Sequence, residues 1–184
     1  MSATGKRSQQ RAFTLLEVTL VLVVIGVMLS LAMVASAPNP AADLQREARR
    51  LQAVLQMAAE EAMMQGIEMA LSISGLQGTD AGYQFLVLDI DDLNWLPLQQ
   101  PQFEFHGLGD SMSMEIAIDG RQVDRNRLRQ LQRLQALQSE PQLQPALVLL
   151  SSGETTPFTI RLNHPQVERA VTVSSDGVSG IVLR

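Results

Sequence analysis

Residues 11–26 read RAFTLLEVTLVLVVIG. The run is apolar enough to enter a membrane, yet it carries a full carboxylate, Glu17, near its start. A glutamate in hydrocarbon is unfavourable by roughly 2.5–3.5 kcal/mol or more on insertion scales, so it needs a partner or a purpose. The apolar character continues to Ala35, giving 23 residues (13–35) with a single charge. As a helix they reach about 35 Å, enough for a hydrocarbon core of about 30 Å. Residues 1–12 are polar and basic, with Lys6, Arg7 and Arg11, whereas Asp43 and Glu47 follow the run. That asymmetry favours an N-terminus in the cytoplasm and a body across the membrane.

Two ordinary readings compete for this segment. Ala35-Ser36-Ala37 has the small-residue pattern of a signal-peptidase site, but secretory signals have an apolar core of only about 7–15 residues. A plain anchor accounts for the length but gives Glu17 no role. A third reading accounts for both. The stretch Ala12-Phe13-Thr14-Leu15-Leu16-Glu17, behind a basic leader and ahead of an apolar helix, resembles the N-terminal signal of type IV pilins and type II secretion pseudopilins. The resemblance implies cleavage of a leader, residues 1–12, between Ala12 and Phe13, and N-methylation of Phe13. It also implies retention of Glu17 as the residue that pairs with a neighbouring subunit's N-terminal amine during filament assembly. The family usually has Gly before the cut. Ala12, the next smallest residue, stands there instead.

The chain has 184 residues, a net charge of −5 and no cysteine. Disulfides, thiol catalysis and cysteine-bound metals are thereby excluded, although an oxidising compartment is not. Without its three leader cations the chain keeps 11 arginines against 19 acids. Such a body argues against binding nucleic acid through phosphate neutralisation.

Pro38 and Pro40 predict a break after the apolar run, because each removes a helix N–H and crowds the preceding turn. Helical spacing resumes up to Gly66, a natural C-cap, so 36–66 reads as the soluble part of the N-terminal helix. Leu44, Ala48, Leu51, Leu55, Ala58 and Ala62 form one apolar stripe, and its small residues suit close packing on a sheet.

From residue 67 the pattern becomes short alternating runs. Strands are expected at 67–74, 83–88, 95–98, 103–108, 112–119, 146–152, 158–163, 167–175 and 178–184, with hairpins over 83–98 and 167–184. A helix followed by antiparallel strands is an α+β fold, with one sheet face covering the stripe. Residues 121–145 do not read as a strand. They contain Leu128, Leu131, Leu134 and Leu137 among five arginines, including Arg125, Arg129 and Arg133. This insertion reads either as a solvated helix that covers a sheet edge or, with those three arginines, as a candidate surface for an acidic partner.

Motifs of catalysis are missing. There is no phosphate-cradling glycine loop, nucleophile elbow or zinc pattern. Asp89, Asp91, Asp92 and Asn94 suggest a calcium loop, but Leu93 stands where an oxygen ligand is needed and Asn94 where glycine is needed. His106 and His164 each sit among turn residues, and Pro165 spoils a helical His164–Glu168 ligand pair. No enzyme, cofactor or metal site is expected.

The order of elements, and the phrase LVLLSSGETTPFTIRL before the last hairpin, resemble the H-type minor pseudopilins of type II secretion systems. The likeness is looser over 13–119 and better over 146–184. It implies a pilin-like fold and a single-pass inner-membrane protein with a periplasmic globular domain. The implied role is that of a structural subunit near the tip of a filament that helps folded proteins across the outer membrane. Implied partners are the other minor pseudopilins, the major pseudopilin, the prepilin peptidase/methyltransferase and the inner-membrane assembly platform. The alternative is a minor type IV pilin, some of which bind DNA.

Overall fold

The computed structural model describes residues 15–35, 39–75, 81–109, 111–123 and 144–184. The expected leader, with Ala12 and Phe13, lies outside them, as do Arg125, Arg129 and Arg133 with most of the expected insertion. The chain divides into two units, Met1–Asn39 and Pro40–Arg184.

In the first unit, helix α1 spans Leu15–Ala35. In the second, the head, helix α2 spans Pro40–Gln65. Of the expected break at 38–40, Pro38 lies outside the described residues. Asn39 stands at the N-cap of α2 and Pro40 at its first helical position, where a missing N–H costs nothing and the fixed φ suits the helix. At the other end Gly66 has φ +66°, and the Ile67 N–H reaches the Ala62 carbonyl at 3.1 Å. That is the Schellman closure, which a glycine at this position permits without strain.

All six stripe residues of α2 are buried, together with Val54 one turn on from Leu51. They pack against antiparallel sheet, as expected, and the sheets are two. The first contains β1 (Met69–Gly75), β2 (Gly82–Asp89), β3 (Asn94–Pro97), β4 (His106–Gly107) and β7 (Leu147–Leu149). Its order is β3-β2-β1-β7, with β4 pairing the first residues of β2. The second contains β5 (Ser113–Ile118), β6 (Arg121–Gln122), β8 (Phe158–His164), β9 (Val167–Ser175) and β10 (Val182–Leu183), in the order β10-β9-β8-β5-β6. All pairings are antiparallel. Strand β8 shows the period-two alternation of a half-buried sheet: Phe158, Ile160 and Leu162 enter the core while Thr159 and Arg161 face out.

The segment 150–157 carries the chain from the first sheet to the second. Thr155 bridges Leu149 on one side and donates its N–H to the Gly177 carbonyl on the other, at 2.9 Å.

Several expected strands are shorter, each for a local reason. Of 103–108 only His106–Gly107 pairs. Pro101 opens a turn, in which the N–H groups of Phe103 and Glu104 both reach the Gln100 carbonyl (2.8 and 3.1 Å). Residues 178–180 leave the ladder because the Asp176 carboxylate accepts from the Val178 and Ser179 N–H groups, at 3.0 and 2.7 Å. The strand expected over 146–152 stops at Leu149, since Leu150 turns back to bond Glu154. Conversely, Arg121 and Gln122, expected to belong to the insertion, pair with β5 as a hairpin around Asp119-Gly120. Main-chain pairing with Ala117 and Ile118 there needs no apolar side chain, which is why the pattern hid it.

Candidate assembly site

Helix α1 is apolar on every side that is described. Leu15, Leu16, Leu22, Val23 and Met28 are all largely exposed on the isolated chain. A helix that is apolar all round belongs in a membrane or in the middle of a helical assembly. Its polar groups suit either setting. The Thr19 hydroxyl donates to the Leu16 carbonyl and the Ser30 hydroxyl to the Gly26 carbonyl, both at 2.8 Å, so neither needs water. Glu17, in the first turn, is the one ionisable residue of the helix. At that position the carboxylate also meets the positive end of the helix dipole, a favourable arrangement.

Among the described residues no helix is long and apolar enough to cross a membrane. The side chains described in α1 run from Leu15 to Ser30, 16 residues, against the roughly 20 that a crossing takes. The expected span of 13–35 extends beyond them at both ends.

In the head, the functional groups serve attachment of α2 to the sheets. The Glu47 carboxylate, only 14% exposed, lies 3.0 Å from His106 Nε2 and accepts from the Tyr83 hydroxyl at 3.3 Å. Burial, reinforced by the Glu47 charge, pushes the Tyr83 phenol well above its ordinary value. The Tyr83 ring packs edge-on against Phe85, at 6.4 Å between centroids, and Phe85 against Phe103 at 5.3 Å. Farther along α2, Gln52 and Gln56 both donate to the Ile181 carbonyl, at 3.0 and 3.2 Å. At the end of α2, the Ser151 N–H and hydroxyl donate to Glu68 at 3.2 and 2.8 Å, tying the sheet-to-sheet segment to the start of β1. These contacts hold helix, first sheet and second sheet together from three points.

The sequence patterns singled out none of these contacts. His106 reads alone as an isolated turn histidine, and only the β2–β4 pairing brings it to Glu47, 59 residues earlier in the chain. Asp91 and Asp92 fall in the β2–β3 turn, as the hairpin reading has it, and the Asp91 N–H bonds Oδ1 of Asp89, the last residue of β2, at 3.0 Å. In the β9–β10 loop, two backbone N–H donors stabilise the Asp176 carboxylate and lower its pKa to about 2.

The family model of the type II transport protein GspH matches residues 47–177, and that of the prokaryotic N-terminal methylation motif matches residues 7–33. The chain is 31% identical over 169 residues to the type II secretion system protein H of Pseudomonas aeruginosa, covering 91% of each. To the same-named protein of Aeromonas hydrophila it is 29% identical, covering 85% of this chain and 82% of the other. In three dimensions the minor pseudopilin EpsH of the Vibrio cholerae type 2 secretion system superposes with a TM-score of 0.55 at 25% identity, over 77% of this chain and 94% of EpsH. The solution structure of Escherichia coli GspH, at 17% identity, shares the fold with a TM-score of 0.52, over 81% of this chain and 94% of that one. The methylation motif covers Glu17 and α1 as far as residue 33, and the GspH match runs from α2 through both sheets of the head: the chain belongs to the type II transport protein GspH family, the H-type minor pseudopilins of type II secretion.

Proposed function

We propose that α1 is the assembly element of this pseudopilin and that Glu17 sets its register in the filament. The prepilin peptidase removes residues 1–12 at Ala12–Phe13, and the new Phe13 amine is methylated. The α-amino group, with an ordinary pKa near 7.7–8, remains cationic. Glu17, fifth in the processed chain, receives the amine of a neighbouring subunit when the apolar helices bundle. A charge pair in that low-dielectric setting is much stronger than in water. Helix α1 anchors the chain in the inner membrane with its N-terminus in the cytoplasm, and the head lies in the periplasm. The head sits near the filament tip beside the other minor pseudopilins, above the major one. Growth from the inner-membrane platform moves folded proteins through the outer membrane, driven by an ATPase on another chain. The head's part is structural, not catalytic.

The observation that carries this reading is α1 itself: apolar all round where described, with internally bonded hydroxyls and one acid in its first turn. The competing reading, a DNA-binding minor type IV pilin, has its carriers at Arg125, Arg129 and Arg133, outside the described residues, and the GspH match favours secretion.

The test is Glu17→Ala in the native host, scored by co-purification with the other pseudopilins. Removing one partner of a buried pair costs about 3–5 kcal/mol, a loss of roughly 100-fold or more in incorporation. Membrane level and leader removal are expected to stay normal. Full incorporation of Glu17→Ala would sink the proposal.

A further inference from the structure

We infer that Met63 is an oxidation-sensitive clasp between α2 and the segment 150–157: a peroxide-class oxidant converts its thioether to the sulfoxide and frees that segment from the helix. The inference concerns the head alone and goes beyond the assembly role of Glu17.

Segment 150–157 is the crossover between the two sheets, and it begins as a tight turn. The Gly153 N–H donates to the Leu150 carbonyl at 2.9 Å, and the Leu150 N–H to the Glu154 carbonyl at 2.8 Å. Gly153 takes φ +89°, a conformation that glycine adopts freely. Met63, in the last turn of α2, reaches this turn. A Cβ on Gly153 would lie 2.8 Å from the Met63 Sδ and 3.7 Å from its Cγ, so the thioether occupies the place of the missing side chain. The chain around the end of α2 therefore meets the crossover twice, through the Met63 sulfur at Gly153 and through Glu68 at Ser151.

The sulfur is also within reach of solvent. Met63 is 48% exposed, whereas Met69 and Met114 are wholly buried in the core. With no cysteine in the chain, thioethers are its only oxidisable sulfur. In the step, a sulfur lone pair attacks one oxygen of hydrogen peroxide. The S–O bond forms as the O–O bond breaks, and the departing hydroxide takes the proton left on the transferred oxygen and leaves as water. The thioether is oxidised by two electrons and the peroxide is reduced.

The product is a polar, chiral group in place of a flexible apolar one. Its oxygen is a hydrogen-bond acceptor, but the turn's N–H groups at Leu150, Ser151 and Gly153 already donate elsewhere. A buried acceptor without a donor is unfavourable, so the sulfoxide gains its hydrogen bonds by turning to water. That takes the side chain off the turn. The crossover then keeps its Glu68 and Gly177 contacts and loses its cover from α2. A methionine sulfoxide reductase restores the thioether, so the clasp is reversible. Met64, the next residue and 82% exposed, meets the same oxidant with its side chain in solvent and serves as the control.

The test is hydrogen–deuterium exchange by mass spectrometry on the full-length protein in detergent, before and after hydrogen peroxide, with oxidised methionines assigned by peptide mapping. The expected result is sulfoxide at Met63 and about tenfold or faster exchange at the amides of 150–154, because a packed side chain has left its seat. Incubation with methionine sulfoxide reductase and dithiothreitol should restore slow exchange. Met63→Leu, similar in volume and without an oxidisable sulfur, should keep slow exchange in peroxide. Met64→Leu should respond as the parent does, and Met63→Gln, polar at the same length, should exchange fast without oxidant. Met63 that stays reduced while Met64 oxidises overturns the clasp, as does sulfoxide at Met63 with unchanged exchange at 150–154. The parent protein alone decides these two outcomes, so they stand even if a variant unfolds. Equal peroxide sensitivity in folded Met63→Leu overturns the clasp too, and places the response at another methionine.

Discussion

Gly177 and Gly180 flank Val178 in the β9–β10 loop, and alanine at each tests how the two sheets are fastened. Both have φ in the left-handed range, +99° and +90°, which costs an L-residue about 1–3 kcal/mol. They differ in surroundings. A Cβ on Gly177 would stand 2.8 Å from the Thr155 carbonyl oxygen and 3.2 Å from Pro157 Cγ, whereas one on Gly180 meets nothing within 4 Å. Relief at Gly177 needs a backbone shift that gives up the 2.9 Å bond from the Thr155 N–H, worth about 0.5–1.5 kcal/mol. Gly177→Ala should therefore destabilise the head by about 2–4 kcal/mol, and Gly180→Ala by about 1 kcal/mol less. Thermal unfolding of residues 40–184 should show Gly177→Ala melting about 2–4 °C below Gly180→Ala. Equal melting temperatures would refute the claim that the Thr155–Gly177 contact fastens the sheets.

Two further outcomes follow from the cluster between α2 and the first sheet. Glu47→Ala removes the acceptor of both the Tyr83 hydroxyl and His106, and should cost about 1–3 kcal/mol in urea unfolding. Glu47→Gln, whose amide oxygen still accepts, should cost less, and equal losses would show that packing dominates. Tyr83 is the only tyrosine, so phenolate absorbance reads it directly. Its folded pKa is raised, so the folded state binds this proton more tightly than the unfolded one. The contribution to stability is fully present below the unfolded value of about 10 and is lost as pH rises through the folded one. Phenolate should appear only with unfolding, and a reversible titration near pH 10 in folded protein would contradict the burial.

Periodic features were legible in the sequence and paired features were not. The stripe of α2 could be read residue by residue because helical spacing and burial share one period, and Val54 widens it by a single i+3 neighbour. Strand β9 spans 167–175 as expected, where Gln166 and Asp176 bound an uninterrupted run. The division into two sheets was hidden, since alternation marks a strand's faces without naming its partner. Residues 146–163 read as two strands around a turn, yet β7 pairs β1 and β8 pairs β5 and β9. The Glu47–His106–Tyr83 cluster was hidden for the same reason, because three separate elements supply it. Side-chain capture of the backbone also escaped the pattern: Asp176 takes two N–H groups that a strand reading assigns to the ladder. Glu17 stands out in the sequence because it breaks the pattern, one acid in an otherwise apolar helix, and its role in assembly rests on the proposal above.

The most direct measurement is mass spectrometry of the N-terminal peptide of the protein taken from its native membrane. The account predicts a chain beginning at N-methylated Phe13, with Glu17 fifth from the new terminus. A chain beginning near Pro38, or one still carrying residues 1–12, would contradict it, because Glu17 would then have no subunit amine to receive.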